Sequence, residues 1–216
     1  MNMYFILSMS IAFSVIIGIV RWKVIDPSYY PFIYNICIAM LVEIINALHT
    51  YSSGTIKTLN IFSLIDFILF AWLFHNWGLF NHNRKRFLLI ISAFIMAWII
   101  ITFFITGFSN INNPFLLIYS FALIFFSVTT FNKIVVQQRI NIFTNARFWI
   151  CMGIIIFYSF FMLTRATDLS GGVLHLSKSF KMNLQNIVTY SNLFVNLLYA
   201  VAVIWVPRKK NITTLL

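Results

Sequence analysis

The chain is 216 residues long, 61% hydrophobic and only 9% charged, with a mean hydropathy of +0.92. A soluble domain carries roughly 25% charged residues, so the soluble globular classes are excluded and a membrane-embedded chain remains. The 15 Lys and Arg against 4 Asp and Glu read as loop charges that set topology and touch anionic headgroups, with no nucleic-acid partner implied.

Apolar runs of about 17 residues or more, separated by short polar punctuation, predict membrane-spanning helices. The expected fold is an all-α integral membrane protein, one domain of seven transmembrane helices over residues 3–20, 30–49, 59–80, 87–107, 115–131, 148–164 and 184–206. Pro27, Pro31, Pro114 and Pro207 fall at or outside span ends, and the glycines avoid span centres, so the helices are expected to be continuous.

The first span has its charges, Arg21 and Lys23, after its apolar core. A cleavable signal peptide carries them before it, so this segment reads as a retained span. Counting onward, segments 21–29, 81–86, 132–147 and 207–216 hold eleven basic residues, including Arg84, Lys85, Arg86, Lys133, Arg139 and Arg147. The opposite segments hold only Lys57, Arg165, Lys178 and Lys181. The positive-inside rule then puts the N-terminus outside and the C-terminus inside. The sequon at Asn211 therefore lies on the inner side and is discounted.

Span two carries Glu43 about 20 Å from its inner end, and span three carries Asp66 about 10 Å from its outer end. The two carboxylates are thus expected at similar depth on consecutive antiparallel helices. Asn35, Glu43 and Asn46 share one face of span two, with His49 near its outer end, and Ser63 and Asp66 share a face of span three that continues to Trp77. Two neighbouring carboxylates do not both ionise easily. They either share a proton or are balanced by a cation, for which Arg165 and His49 are the choices within the protein. His75 reads as an interfacial residue and His82 as part of a basic inner loop.

The later spans add polar groups at the same level: Tyr158 and Ser159 on span six, and Tyr190, Asn192, Asn196 and the deeper Tyr199 on span seven. Asn within spans acts as interhelical glue, whereas an intramembrane acid is a functional-site hypothesis by default. The expected ligand-binding set is Glu43, Asn46, Asp66, Tyr158, Tyr190, Asn192, Asn196 and Arg165, in the outer half of the bundle. Cys37 and Cys151 lie inside spans and read as packing residues; no catalytic residue, metal site or cofactor is implied. The inner loop 132–147, with Val136, Ile140 and Phe143 at helical spacing, reads as an amphipathic helix on the inner leaflet or a docking surface. The outer loop 165–183 turns at Gly171-Gly172.

Known seven-span classes are excluded residue by residue. Span seven has no lysine for a retinal Schiff base, and no histidine for an intramembrane zinc hydrolase. Neither the two repeats nor the proline-containing spans of small sugar-transporter halves are present. The stretches "RFWICMGIIIFYSFFML" (147–163) and "LFVNLLYAVAVIWVPRKK" (193–210) resemble the last two spans of short bacterial seven-span proteins encoded beside histidine kinases. That resemblance implies a sensory or signalling module in a bacterial inner membrane, handing its signal to a partner such as a histidine kinase at the inner loops. A small proton-coupled carrier using the same carboxylates is the alternative; an enzyme acting on lipid ranks last, because no nucleophile accompanies the acids.

Overall fold

The computed structural model describes residues 7–48, 53–81, 83–137, 142–169 and 177–209. Helix α1 covers Ile11–Arg21, α2 Tyr30–Leu48 after a 3-10 turn at Pro27–Tyr29, and α3 Ser53–Asn76. Helix α4 covers Arg84–Ile100 and runs on as a π-helical stretch, Ile101–Thr106. Helix α5 is Asn113–Gln137, α6 Ala146–Leu169 and α7 Lys178–Trp205. Six of these helices are long and apolar enough to cross a membrane, from α2 to α7; α1 is a shorter apolar helix.

Local chemistry explains where the helices begin and end. Asp26 caps the 3-10 turn, accepting from the Ser28 amide at 2.9 Å, with Pro27 at the first position. Asn83 caps α4 through the amides of Lys85 and Arg86, and Ser177 caps α7 through that of Phe180. Such side-chain oxygens satisfy backbone donors that the first helical turn leaves unpaired. Gly107 follows the π-helical stretch at φ 76°, a conformation open to residues without a Cβ.

Helix α6 packs between α5 and α7; α7 packs on α1, α1 on α2, α2 on α3, and α3 on α5, which closes a ring of six helices. Helix α4 lies outside that ring against α3 and α5, with no buried residue in Arg84–Ile100. Phenylalanines fill the interior, Phe32, Phe67, Phe70, Phe74 and Phe115 among the buried ones. Lipid tails are as apolar as these rings, so packing detail and polar contacts, not water exclusion, hold such helices together.

Both ends of the ring are tied by hydrogen bonds. At one end the Arg21 guanidinium donates to the carbonyls of Val203, Ile204 and Val206, and the Lys209 amide donates to Val24 O at 2.7 Å. At the other end the Asn60 side chain donates to Asn110 O at 2.8 Å and accepts from the Asn112 amide, while the Trp98 indole donates to Asn60 O. That knot fastens the loop between α4 and α5 to α3.

Several expectations change. In the first expected span, residues 3–6 lie outside the described residues, residues 7 and 8 are helical, and after a turn at residues 9 and 10 the helix runs over Ile11–Arg21. That turn is tightened: the amides of Ser10, Ala12 and Phe13 reach back three residues, a 3-10 pattern. With the π-helical stretch in α4, the helices are therefore not uniformly α. The loop 132–147 does not begin with a separate amphipathic helix, because α5 continues through Val136 to Gln137, and Ile142–Thr144 forms a 3-10 turn. Arg139 and Ile140 in that loop, the loop glycines Gly171 and Gly172, and His49, His82 and His175 lie outside the described residues. Arg21, counted as a loop charge, spends its donors on the end of α7.

One close approach sets the α6–α7 packing. A Cβ on Gly153 would stand 2.4 Å from Tyr199 Cε1, and the Tyr199 ring is buried edge-on against Phe32 at 5.1 Å. Gly153→Ala is expected to lower stability by about 1–3 kcal/mol, read as a fall in thermal midpoint in detergent, and Tyr199→Leu in the same chain to recover part of it. A Gly153→Ala midpoint equal to that of the unaltered chain would refute this contact.

Candidate functional site

Inside the ring a cavity of about 940 Å³ runs between α2, α3, α6 and α7, with Ser8 and Ile11 beside it and Tyr119 from α5 in its wall. On α2 its lining extends from Asn35 to Leu48, about 20 Å along the axis. It reaches the surface at Ala47 and Leu48, both exposed. Most of the wall is apolar, and the polar groups lie in distinct layers.

The deepest layer is Asp66, 2% exposed. The Asn35 side-chain amide donates to its Oδ1 at 2.6 Å, and the Tyr158 hydroxyl donates to its Oδ2. Three helices thus meet on one carboxyl group. Tyr119 crosses Tyr158 edge-on at 5.6 Å, and Phe70 does so at 6.3 Å. A buried carboxyl group has to find donors inside the protein where water is absent, and Asn35 and Tyr158 supply them.

The layer nearer the mouth holds Glu43, which takes a hydrogen bond from Ser8, and Asn46 one turn farther along α2. Among the described residues, Asn46 Oδ1 and Arg165 Nε are buried without a hydrogen-bond partner. Arg165 lies over the Phe161 ring at 5.0 Å and pairs with Asp168 at 3.2 Å. Asn196 is spent on packing: its side-chain amide donates to Ser10 Oγ at 2.9 Å, and its main-chain carbonyl accepts from Ser14 Oγ at 3.0 Å. This is interhelical glue between α7 and α1.

Seven of the eight expected residues, Glu43, Asn46, Asp66, Tyr158, Arg165, Asn192 and Asn196, line this cavity. Tyr190 does not, and is 56% exposed. The lining stripe of α7 runs through Val188, Thr189, Asn192, Val195, Asn196 and Tyr199, and Tyr190 sits about 100° round the helix from Thr189. The expected pairing of Glu43 with Asp66 also fails. Helix α3 begins at Ser53, six residues before the expected span, so Asp66 lies about 20 Å from its start and not 10 Å. The Asn35–Asp66 bond fixes the antiparallel register and leaves Glu43 eight residues, about 12 Å, closer to the mouth. Nor does Arg165 balance the two acids, since Asp168 on its own helix engages it.

Sequence reasoning missed Asn35 as the partner of Asp66, although it shares a face with Glu43 and Asn46. It also missed Ser8 and Tyr119, whose roles depend on which helices are neighbours. Ser63, placed beside Asp66, bonds Asn60 O at 2.8 Å and belongs to the structural knot. His75 stacks on Phe87 at 4.4 Å, between α3 and α4.

No family model matches the chain, and neither the curated proteins nor the solved structures contain a match.

The weight of the Asp66 junction is measurable. Tyr158→Phe, Asp66→Asn and the double variant, unfolded in detergent, are expected to show a coupling of about 0.6–1.7 kcal/mol, the range for interhelical hydrogen bonds in membranes. Strictly additive effects would mean that this bond does not link α6 to α3.

Proposed function

We propose that the chain is a membrane-embedded sensory module, in which occupancy of the cavity changes helix packing and is passed to a partner at the opposite end. The observation that carries this reading is a repeated meeting of the same helices. Helices α2, α3 and α6 join at Asn35, Asp66 and Tyr158. Eleven residues away along α3 and α6, about 16 Å, Arg147 lies over the Trp77 ring at 5.6 Å and bonds Tyr29, just before α2. Tyr29 and Trp77 are themselves packed at 5.6 Å.

A group that enters the cavity and alters the Asp66 junction therefore bears on helices that converge again at Arg147. Differential affinity for two packings is all that a ligand needs to shift their populations. The positive-inside count supports an outward cavity mouth, a seventh crossing completed by α1, and basic loops that face a cytoplasmic partner such as a histidine kinase. A bacterial inner membrane fits that arrangement. A second reading, a small proton-coupled carrier, draws on the tightened turn at Ser10 beside the polar layer, since carriers interrupt helices near their sites.

Filling the cavity from within serves as a surrogate ligand. Spin labels on cysteines replacing exposed Lys133 and Lys209, in a Cys37→Ala, Cys151→Ala background, report the end opposite the mouth. Ala39→Phe, which projects into the cavity, is expected to change their distance by about 1–2 Å, the scale of signalling helix shifts. Identical distance distributions with and without Ala39→Phe would refute the sensory reading. Faster acidification of pyranine-loaded proteoliposomes than of empty ones would decide for the carrier.

A further inference from the structure

We infer that the cavity takes an amphipathic primary or secondary amine, with its ammonium group at Glu43 and Asn46 and its apolar body directed at the aromatic floor. This rests on reading the cavity as a ligand site. It begins with the four acidic residues of the chain. Asp26 is occupied as a cap and Asp168 by Arg165. Asp66 has both oxygens bonded, by Asn35 and Tyr158. Glu43 remains, half-buried in the cavity wall with Ser8 as its hydrogen-bonding side chain, a neutral neighbour, and no ion pair to it is made among the described residues.

Asn46 supplies an independent pointer. Its Oδ1 is buried, has no donor among the described residues and belongs to the same wall, three residues from Glu43. A carboxylate and a bare amide oxygen side by side form an acceptor pair, which an N–H-bearing cation satisfies and an anion does not. Arg165 is the one basic residue lining the cavity among the described residues; Asp168 takes one of its terminal nitrogens and the Phe161 face lies under it, while its Nε keeps a donor for an acceptor on the ligand.

The rest of the cavity dictates the body of the ligand. Between the Glu43 level and the Asp66 level lie about 12 Å of wall, and Phe70, Tyr119, Phe157, Tyr158 and Phe161 surround the lower part. Those rings offer apolar contact and faces that attract positive charge. The volume of about 940 Å³ lies within the range of small-molecule sites. A quaternary ammonium would leave Asn46 Oδ1 without a donor, so an amine bearing N–H is preferred.

The test is calorimetric titration of the full chain in nanodiscs with n-octylammonium, against n-octanol and n-octanoate as the neutral and anionic counterparts and empty nanodiscs as blank. Saturable one-site binding is expected for n-octylammonium alone, weakened at least about tenfold by Glu43→Gln and by Asn46→Leu. Leu41→Ala, on the exposed side of α2, should leave it unchanged. Thermal midpoints of the variants separate a lost site from a lost fold. Absence of saturable n-octylammonium binding, equal binding of octanoate, or binding unchanged in Glu43→Gln would each overturn the proposal. Amine binding with no change between the spin labels would sink the sensory reading and leave the ligand class standing, whereas a label shift in Ala39→Phe without amine binding would do the reverse.

Discussion

The organisation of this bundle depends on a carboxyl group that has nowhere to go. Asp66 is 2% exposed at the deep end of a mostly apolar cavity, and in such surroundings an oxygen without donors costs several kcal/mol. Asn35 and Tyr158 satisfy it from two other helices, and in doing so they fix the register of α2 against α3 and of α6 against both. Apolar packing alone is tolerant of sliding; a three-helix hydrogen-bonded junction is not. The depth of Glu43, the position of the aromatic floor and the meeting of Tyr29, Trp77 and Arg147 all follow from that register.

Much of the arrangement is legible in the sequence, for a simple physical reason. Polar groups in lipid are expensive, so the few that persist mark the interior, and helical spacing groups them by face. That logic gathers Glu43, Asn46, Asp66, Tyr158, Asn192, Asn196 and Arg165, and all seven line one cavity. Depth is less legible. Hydropathy weighs residues 53–58 as loop because Lys57 and the hydroxyl residues around it are polar, yet they wind into α3 and carry Asp66 six residues deeper. Tyr190 shows a second limit, since polarity alone does not say which side of α7 faces inward; the stripe from Val188 to Tyr199 does.

Charge counts have a similar blind spot. Eleven basic residues on one set of segments argue for topology, but the count treats each charge as loop decoration. Arg21 instead closes the end of α7, and Arg147 joins an aromatic cluster between three chain segments. At the opposite end the Asn60 knot shows amide groups doing comparable work without charge: its donors and acceptors are used on Trp98, Asn110 and Asn112. Helix α4, outside the ring, is held largely through that knot and through stacked rings such as Phe67–Phe94 at 3.9 Å, so the cavity wall owes it nothing.

The Arg21 contact is asymmetric in what it demands of its two sides. Arg21 contributes a specific guanidinium, but α7 and the residue that follows it contribute only main-chain carbonyls, at Val203, Ile204 and Val206. Substitutions along that end of α7 leave those oxygens in place as long as the helix persists, so the tie tolerates wide side-chain drift there. No such latitude exists at position 21, where lysine offers a single compact group in place of a planar fork with several donors. As far as this tie is concerned, variation is therefore wide at the exposed Ile204 and Trp205, while the buried Val203 and Val206 answer to packing and position 21 to the arginine itself.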